Sequence, residues 1–142
     1  MPDLLDASVW LPLSAPEHVH YLRARRYWDE ESEGELAFCR VTELALLRHL
    51  TNARILGNAA LNGRAAWQAL RDWLAVPRIN FLHEPPGVEE LLAQWAEQLD
   101  LRRGDWTNAY LAAFAVASGC RIVAFDADFH RFPGVDFLHL KP

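Results

Sequence analysis

Short apolar runs that alternate with helical stretches most constrain how this chain can fold. The runs have the length and composition of buried strands, and the stretches between them carry apolar residues at helical spacing. This alternation predicts an α/β fold with a mainly parallel sheet flanked by helices. The predicted strands are 3–6, 36–39, 79–82 and 121–125, with a short fifth at 137–140, and the main helices are 17–31, 42–50, 64–75, 88–99 and 107–118.

Length and composition agree with one packed domain. The chain has 142 residues, of which 51% are hydrophobic, enough for a single buried core. It shows neither a signal-peptide pattern nor an apolar stretch of roughly 18 residues, the length needed to cross a bilayer. Cys39 and Cys120 lie in apolar surroundings beside predicted strands, as reduced buried thiols do. We therefore expect a cytoplasmic protein.

The formal net charge of −5 limits how the chain could meet nucleic acid. It argues against a broad basic surface that coats nucleic acid. It does not exclude a nucleic-acid enzyme, because clustered acids can hold Mg²⁺ while local arginines contact phosphates.

Four acidic or amide residues, far apart in sequence, each stand at the edge of an apolar run. Asp6 ends the first predicted strand, and Asp126 directly follows the fourth. Glu43 lies at the start of the helix that follows the second predicted strand, and Asn108 lies at the start of helix 107–118. Sites in parallel sheets lie beyond the carboxyl ends of the strands. We therefore expect all four side chains to face one crevice.

The chemistry of these side chains points to a divalent metal. A carboxylate at the edge of a buried segment is costly unless its charge is compensated, and several together imply a cation or raised pKa values. Mg²⁺ and Mn²⁺ prefer such hard oxygen ligands and assist attack on phosphoryl groups. We therefore predict hydrolysis of phosphodiester bonds. The chain has no Gly-rich phosphate loop, Ser-His-Asp elbow or zinc motif.

Each of these positions also has a purely structural explanation. Asp6 fits a turn after a strand, and Glu43 fits the first turn of a helix, where a carboxylate is favoured by the helix dipole. Asp126 and Asp128 fit an Asx turn before Phe129. These explanations are weaker together than singly, because all the positions converge on one end of the sheet.

Four segments of the chain resemble the successive signatures of the PIN domain family, in particular the VapC-like ribonuclease toxins of type II toxin–antitoxin systems. Each segment alone is weak, whereas their order and spacing are together fairly specific, and the resemblance extends from Asp3 to Leu140. The segments are Leu4-Leu5-Asp6-Ala7-Ser8-Val9, Thr42-Glu43-Leu44, Asn108-Ala109-Tyr110-Leu111-Ala112-Ala113-Phe114-Ala115 and Val123-Ala124-Phe125-Asp126-Ala127-Asp128-Phe129.

The resemblance implies a fold, an activity and partners. The fold would be a single PIN-like domain over residues 1–142, a three-layer sandwich whose mainly parallel sheet has four or five strands. The activity would be that of a Mg²⁺-dependent endoribonuclease, with Mn²⁺ as the alternative ion, that hydrolyses RNA phosphodiester bonds. The partners would be a cognate antitoxin protein, the RNA substrate and a second copy of the chain in a homodimer, with no membrane.

The resemblance also assigns roles to individual residues. Asp6 would be a metal ligand, Glu43 would bind metal or position water as a base, and Asp126 would complete the acidic pocket. Ser8 would orient Asp6 through its hydroxyl. Asp128 matches a further acidic position that the family uses less consistently.

One position departs from the family pattern. Where the family usually has Asp, this chain has Asn108, which keeps an oxygen ligand but loses a charge, so we expect weaker metal binding. Asp105 stands three residues earlier, close to one helical turn, and is a candidate replacement for the missing carboxylate. The alternative is that Asp105 or Thr107 caps the helix.

Arginines and two further functions complete the predictions. Arg102 and Arg103 precede the predicted site and are candidates for contacts with RNA phosphates, with a solvated charged loop as the alternative. Arg40, Arg48 and Arg121 are similar candidates with weaker placement. The rival function is a catalytically weakened PIN-like module that binds a partner or RNA. A third possibility is a metal-dependent nuclease that has no antitoxin.

Overall fold

Five short strands form one sheet in the computed structural model of the protein, which describes residues Met1–Pro142. All neighbouring strands are parallel, in the order β3-β2-β1-β4-β5, which confirms the predicted α/β fold. Each of the four main strands ends one residue earlier than predicted. The strands are β1 Asp3–Leu5, β2 Leu36–Phe38, β3 Ile79–Phe81, β4 Arg121–Ala124 and β5 Asp136–His139.

Seven α-helices connect and cover the strands. The predicted helix 17–31 is shorter and is continued by a π-helical segment, Tyr27–Glu31, and the predicted loop 52–63 contains a short helix. A 3₁₀ turn, Ala127–Arg131, follows β4 and was not predicted. The helices are α1 Ala7–Ser14, α2 Tyr21–Arg26, α3 Arg40–Leu50, α4 Ala53–Leu56, α5 Gly63–Leu74, α6 Val88–Gln98 and α7 Asp105–Ser118.

Helix α1 contains Pro12 in its interior. A proline inside a helix removes one hydrogen bond and costs about 3 kcal/mol. The neighbouring side chains of Val9, Trp10 and Leu13 are all buried, and Trp10 stacks on Phe38 of the sheet with ring centroids 4.0 Å apart. Packing of this apolar segment therefore outweighs the local cost of the proline.

Two hydrophobic clusters, one on each face of the sheet, form the three layers. Successive strand residues point to opposite faces, so Leu4 belongs to the cluster under α6 and α7 and Leu5 to the cluster under α1, α3 and α5. Cys39 and Cys120 are free and buried, and burial raises the pKa of both thiols. No helix is long and apolar enough to cross a membrane.

The order of the strands determines where a ligand site can form. The chain builds the sheet from β1 outward through β2 and β3, then places β4 on the other side of β1. Connections on the two sides run in opposite directions, which opens a crevice beyond the carboxyl ends of β1 and β4. Asp6 and Asp126 lie at those two ends.

The amino end of β1 carries a different carboxylate. Asp3 is 3% exposed and accepts hydrogen bonds from Arg121 Nε at 2.9 Å and Arg121 Nη2 at 2.8 Å. The Tyr27 hydroxyl donates to the same carboxylate at 2.6 Å, and burial together with this bond raises the pKa of Tyr27. The charge of Asp3 is therefore compensated entirely within the chain.

Candidate active site

A cavity of about 800 Å³ opens at the carboxyl ends of β1 and β4. Helix α7 borders it from one face of the sheet and α3 from the other, and the segment before α2 completes the wall. Most of the predicted site residues line this cavity, namely Asp6, Ser8, Asp105, Asn108, Asp126 and Asp128.

Asp6 is the N-cap of α1 and lines the cavity. Its Oδ2 accepts the Ser8 N–H at 3.1 Å, which satisfies one free donor at the start of the helix. Burial raises the pKa of Asp6, hydrogen bonds from Ser8 lower it, and the charge of Asp126 raises it further. No cationic side chain forms an ion pair with Asp6, so its negative charge is uncompensated within the chain.

Ser8 links the two strand ends. Its hydroxyl oxygen accepts the backbone N–H of Phe125 at 3.1 Å, which connects the first turn of α1 to the end of β4. Both the hydroxyl and the backbone N–H of Ser8 act on Asp6, because hydrogen bonds from each lower the pKa of that carboxyl. The same hydroxyl also holds the chain that leads into Asp126.

Asp126 is held by two hydrogen bonds from opposite directions. Its Oδ2 accepts from Asn108 Nδ2 at 3.2 Å, and its Oδ1 accepts the Asp128 N–H at 2.9 Å. The second bond is the Asx turn that was the structural alternative for this position, and the same carboxylate also lines the cavity. Asp128 is exposed at the rim. Asn108 and Asp126 therefore form one hydrogen-bonded pair between α7 and β4.

Asp105 lines the cavity, but its charge is already compensated. Its carboxylate accepts the Arg102 N–H at 2.9 Å and lies 3.3 Å from Arg131 Nη1. The bond from Arg102 and the neighbouring Arg131 lower the pKa of Asp105. Asp105 closes the turn that precedes α7 and does not cap the free N–H groups of that helix. It is thus a weaker candidate than Asp6 for a metal ligand.

Glu43 is not among the residues that line the cavity, so the structure does not bring it together with Asp6 and Asp126 as the sequence predicted. The side chain is 4% exposed and pairs with Arg40 Nη1 at 2.8 Å. Burial raises the pKa of Glu43, whereas Arg40 and Arg71 lower it. The α3 residues that line the cavity are Ala45, Arg48 and His49. These share one helical face by their spacing of three and four residues, and Glu43 lies outside that face.

Three histidines of the cavity were not predicted as site residues, namely His18, His20 and His49, and Arg48 was predicted only as a weaker candidate for phosphate contacts. His20 stacks on Phe125 with ring centroids 4.6 Å apart, and His18 Nδ1 accepts the His20 N–H at 3.0 Å. Arg48 and His49 lie three and four residues after Ala45, so the three residues share one face of α3. The sequence does not show that this face borders the cavity, because the rotation of α3 against the sheet is known only from the structure.

The predicted RNA-binding pair, Arg102 and Arg103, lies beside the cavity and does not line it. The Nε of Arg102 donates to Asp100 at 2.9 Å in an exposed ion pair. Arg103 adopts a left-handed backbone conformation with φ of 49° in the exposed turn before α7. Both side chains remain accessible, and only their neighbours Gly104 and Asp105 reach the cavity wall.

The donor set fits a hydrated Mg²⁺ or Mn²⁺ ion. No group of three or more His, Cys, Asp or Glu side chains is arranged to hold a metal by itself. Mg²⁺ usually keeps several waters and is bound through one or two carboxylates plus substrate phosphates. Asp6 and Asp126, with the amide oxygen of Asn108, supply that number of oxygen donors. The uncompensated charge of Asp6 is the observation that calls for a cation.

The sequence profile of the PIN domain matches residues 4–135. The chain belongs to the PIN domain family. Two relatives of this PIN domain come from Mycobacterium tuberculosis. Ribonuclease VapC41 is 36% identical over 138 residues, covering 94% of each chain. Ribonuclease VapC37 is 29% identical over 134 residues, covering 93% of this chain and 92% of the relative.

Solved structures show the same fold at lower identity. VapC20 of Mycobacterium tuberculosis, a sarcin-ricin loop cleaving toxin, superposes with a TM-score of 0.68 at 20% identity, covering 94% of this PIN domain and 97% of that chain. The structure of VapBC2 from Rickettsia felis, bound to a DNA fragment from the VapBC2 promoter, gives a TM-score of 0.70 at 12% identity. The match covers 99% of this PIN domain and 100% of that chain. The predicted PIN-like sandwich is thereby confirmed.

Proposed function

We propose that this protein is a Mg²⁺-dependent endoribonuclease and the toxin of a toxin–antitoxin pair. The observation that carries the proposal is Asp6, a carboxylate of raised pKa without an ion-pair partner, beside Asp126 in an open cavity. Perturbed carboxylates in a cleft are typical of functional sites. The 36% identity to Ribonuclease VapC41 over nearly the whole chain supports cleavage of RNA as the reaction.

In this proposal Asp6, Asn108 and Asp126 hold the ion, with Asp128 available at the rim. The ion, when bound, supplies positive charge that stabilises the phosphoryl group under attack and activates water as the nucleophile. The chain contributes rigidity, because the N-cap bond fixes Asp6 and two hydrogen bonds fix Asp126. Fixed carboxylates lower the cost of ordering the site when substrate binds.

Glu43 has no role in this mechanism. Its carboxylate is buried against Arg40 outside the cavity, too well enclosed to position a water molecule at the site. Asp105 has at most a secondary role, since its charge is already balanced by Arg131 and the Arg102 N–H. Mg²⁺ and Mn²⁺ share the same oxygen ligands, so both ions are expected to support the reaction.

We further propose that a cognate antitoxin protein binds this chain. Similar folds occur in VapBC2 from Rickettsia felis and in VapBC-1 from nontypeable Haemophilus influenzae, the latter with a TM-score of 0.69. The test is co-purification with the product of the neighbouring reading frame, followed by measurement of RNA cleavage with and without it. Dimerisation and a cytoplasmic location stay predictions.

Cleavage of a defined RNA at increasing Mg²⁺ or Mn²⁺ concentration tests the nuclease assignment. We expect cleavage by the wild type, none with EDTA, and a loss of about 100-fold or more in Asp126→Asn, typical of removing one electrostatic contact from an active site. Asp136→Asn is the matched control, because Asp136 is exposed at the opposite end of the sheet. Equal cleavage by the wild type, Asp126→Asn and Asp136→Asn would refute the proposal. Cleavage in the presence of EDTA would refute it as well.

A second candidate is a catalytically weakened PIN domain that binds RNA or a partner without cleaving. Asn108 favours this function, because an amide replaces a charged ligand and no three-ligand cluster remains. Calorimetric titration with Mg²⁺ separates the two. Binding that is lost in Asp6→Asn supports the nuclease, whereas absence of binding even with a non-cleavable RNA present supports the weakened module.

A further inference from the structure

The cavity carries opposite charges on its two sides. The carboxylates come from the ends of β1 and β4 and from α7 and the turn after β4, whereas the side formed by α3 carries Arg48 and His49. We call the α3 residues Ala45, Arg48 and His49 the α3 wall. Because α3 and α7 cover opposite faces of the sheet, a ligand in the crevice contacts both sides at once.

Arg48 is the only lysine or arginine that lines the cavity, and it has no partner in the chain. Its guanidinium takes part in no ion pair and in no side-chain hydrogen bond, although four carboxylates line the same cavity. The neighbouring arginines differ, since Arg102 pairs with Asp100 and Arg131 with Asp105. An exposed, unpaired guanidinium at the mouth of a cavity is free to bind an external anion.

His49 is the other polar residue of the α3 wall. Its Nδ1 is buried and has no hydrogen-bond partner. Burial and the neighbouring Arg48 lower the pKa of His49, and the charge of Asp6 raises it. Arg48 is the residue of the α3 wall whose positive charge is permanent.

We infer that Arg48 binds a phosphate of the RNA strand on the α3 side of the cavity, across from the carboxylates. This inference rests on the proposed function and names the residue that holds the substrate backbone. The net charge of −5 and the acidic cavity oppose the approach of RNA, and the unpaired positive charge of Arg48 within the cavity offsets this repulsion locally. The planar guanidinium fork matches two phosphate oxygens.

The salt dependence of RNA binding tests this inference directly. Fluorescence anisotropy with a short labelled single-stranded RNA in EDTA measures Kd between 50 and 200 mM salt, the range over which phosphate contacts are most evident. EDTA prevents metal-dependent cleavage during the measurement. Each phosphate contact on a single strand contributes about 0.7 to the slope of log affinity against log salt.

Arg48→Ala is compared with Arg64→Ala, which removes the same charge from an exposed, unpaired arginine of α5 outside the cavity. We expect the slope of Arg48→Ala to become shallower by about 0.7, and that of Arg64→Ala to match the wild type. Arg48→Lys keeps the charge but loses the fork, so it should keep the slope and bind more weakly. Arg48 has no partner in the fold, so all three variants should unfold at the wild-type temperature.

Equal slopes for the wild type and Arg48→Ala would overturn the inference, as would a wild type that binds no RNA. Loss of antitoxin binding with unchanged RNA binding in Arg48→Ala would also overturn it, because the guanidinium would then serve a protein partner. Absence of Mg²⁺-dependent cleavage by the wild type would refute the proposed nuclease, whereas the slopes in EDTA decide the role of Arg48 separately.

Discussion

The two ends of β1 carry carboxylates whose surroundings differ in kind. Asp3, at the amino end, receives two hydrogen bonds from Arg121 and one from Tyr27. Asp6, at the carboxyl end, receives the Ser8 N–H and faces the like charge of Asp126. A carboxylate that is paired with a cation of the same chain stabilises the fold, whereas a carboxylate without such a cation marks a place where a bound ligand can supply the positive charge. The short strand β1 carries one carboxylate of each type.

Removal of Arg121 should make Asp3 resemble Asp6 and gives the largest expected effect on stability. Arg121→Met leaves a carboxylate that is 3% exposed without its cation, so we expect a loss of about 3 kcal/mol in the free energy of unfolding. Urea denaturation measures it. The double variant Asp3→Asn/Arg121→Met should recover part of the loss, because no charge is left unpaired.

A surface pair provides the control for that experiment. Arg25 and Asp29 form an i,i+4 ion pair 3.1 Å apart with side chains about half exposed, so Arg25→Met should cost less than about 1 kcal/mol. Equal losses in Arg25→Met and Arg121→Met would show that burial of Asp3 is not what makes its pairing important.

Removal of the charge at Asp6 should have opposite effects on activity and stability. Asp6→Asn should lose about 100-fold or more in RNA cleavage. The same change should raise the free energy of unfolding of the metal-free protein by about 1 kcal/mol at neutral pH, since it removes a buried uncompensated charge. Parallel kinetics and thermal denaturation in EDTA measure both. A variant that is both inactive and less stable would contradict the view that the unpaired charge of Asp6 lowers the stability of the metal-free protein.

The pH dependence of stability sharpens the same contrast. The folded state raises the pKa of Asp6 above its ordinary value of 3.8, so the folded protein binds this proton more tightly than the unfolded chain. Stability in EDTA should therefore fall as pH rises from about 4 through the raised pKa. The difference in Tm between the wild type and Asp6→Asn should widen in favour of the variant over that range. A constant difference would rule out titration of Asp6 as the cause.

Restoration of a carboxylate at position 108 should strengthen metal binding. In Asn108→Asp a carboxylate would join those of Asp6 and Asp126, in place of the amide that now donates to Asp126 at 3.2 Å. We expect Mg²⁺ affinity to increase about tenfold, equivalent to ~1.4 kcal/mol, with lower stability of the metal-free protein. Calorimetry measures the affinity, and Asn58→Asp in an exposed turn is the control. An unchanged affinity would mean that the ion does not contact residue 108.

Glu43 should give the smallest effect. Its buried carboxylate pairs with Arg40 outside the cavity, so Glu43→Gln should change kcat/KM by less than about twofold. The comparison with Asp126→Asn, measured on the same RNA, separates an acid that lines the cavity from a buried acid outside it. A loss comparable to that of Asp126→Asn would place Glu43 in the reaction after all.

The residues that could be predicted from sequence are those whose position is fixed by the strands. Asp6 and Asp126 follow strand ends directly, and parallel pairing brings such ends to one edge whatever the helices do. Glu43 could not be placed, because the direction of a helical side chain depends on how the helix is rotated against the sheet. Arg48 was placed only weakly for the same reason.

The link between Ser8 and Phe125 has a consequence for the timing of activity. These residues lie 117 positions apart, and the cavity needs the strand ends on both sides of that hydrogen bond. During synthesis β1 emerges first, yet it cannot meet β4 until residues beyond Asp126 have left the ribosome. A nascent chain therefore carries Asp6 without a site, and any activity that depends on the cavity begins only after β4 has paired with β1.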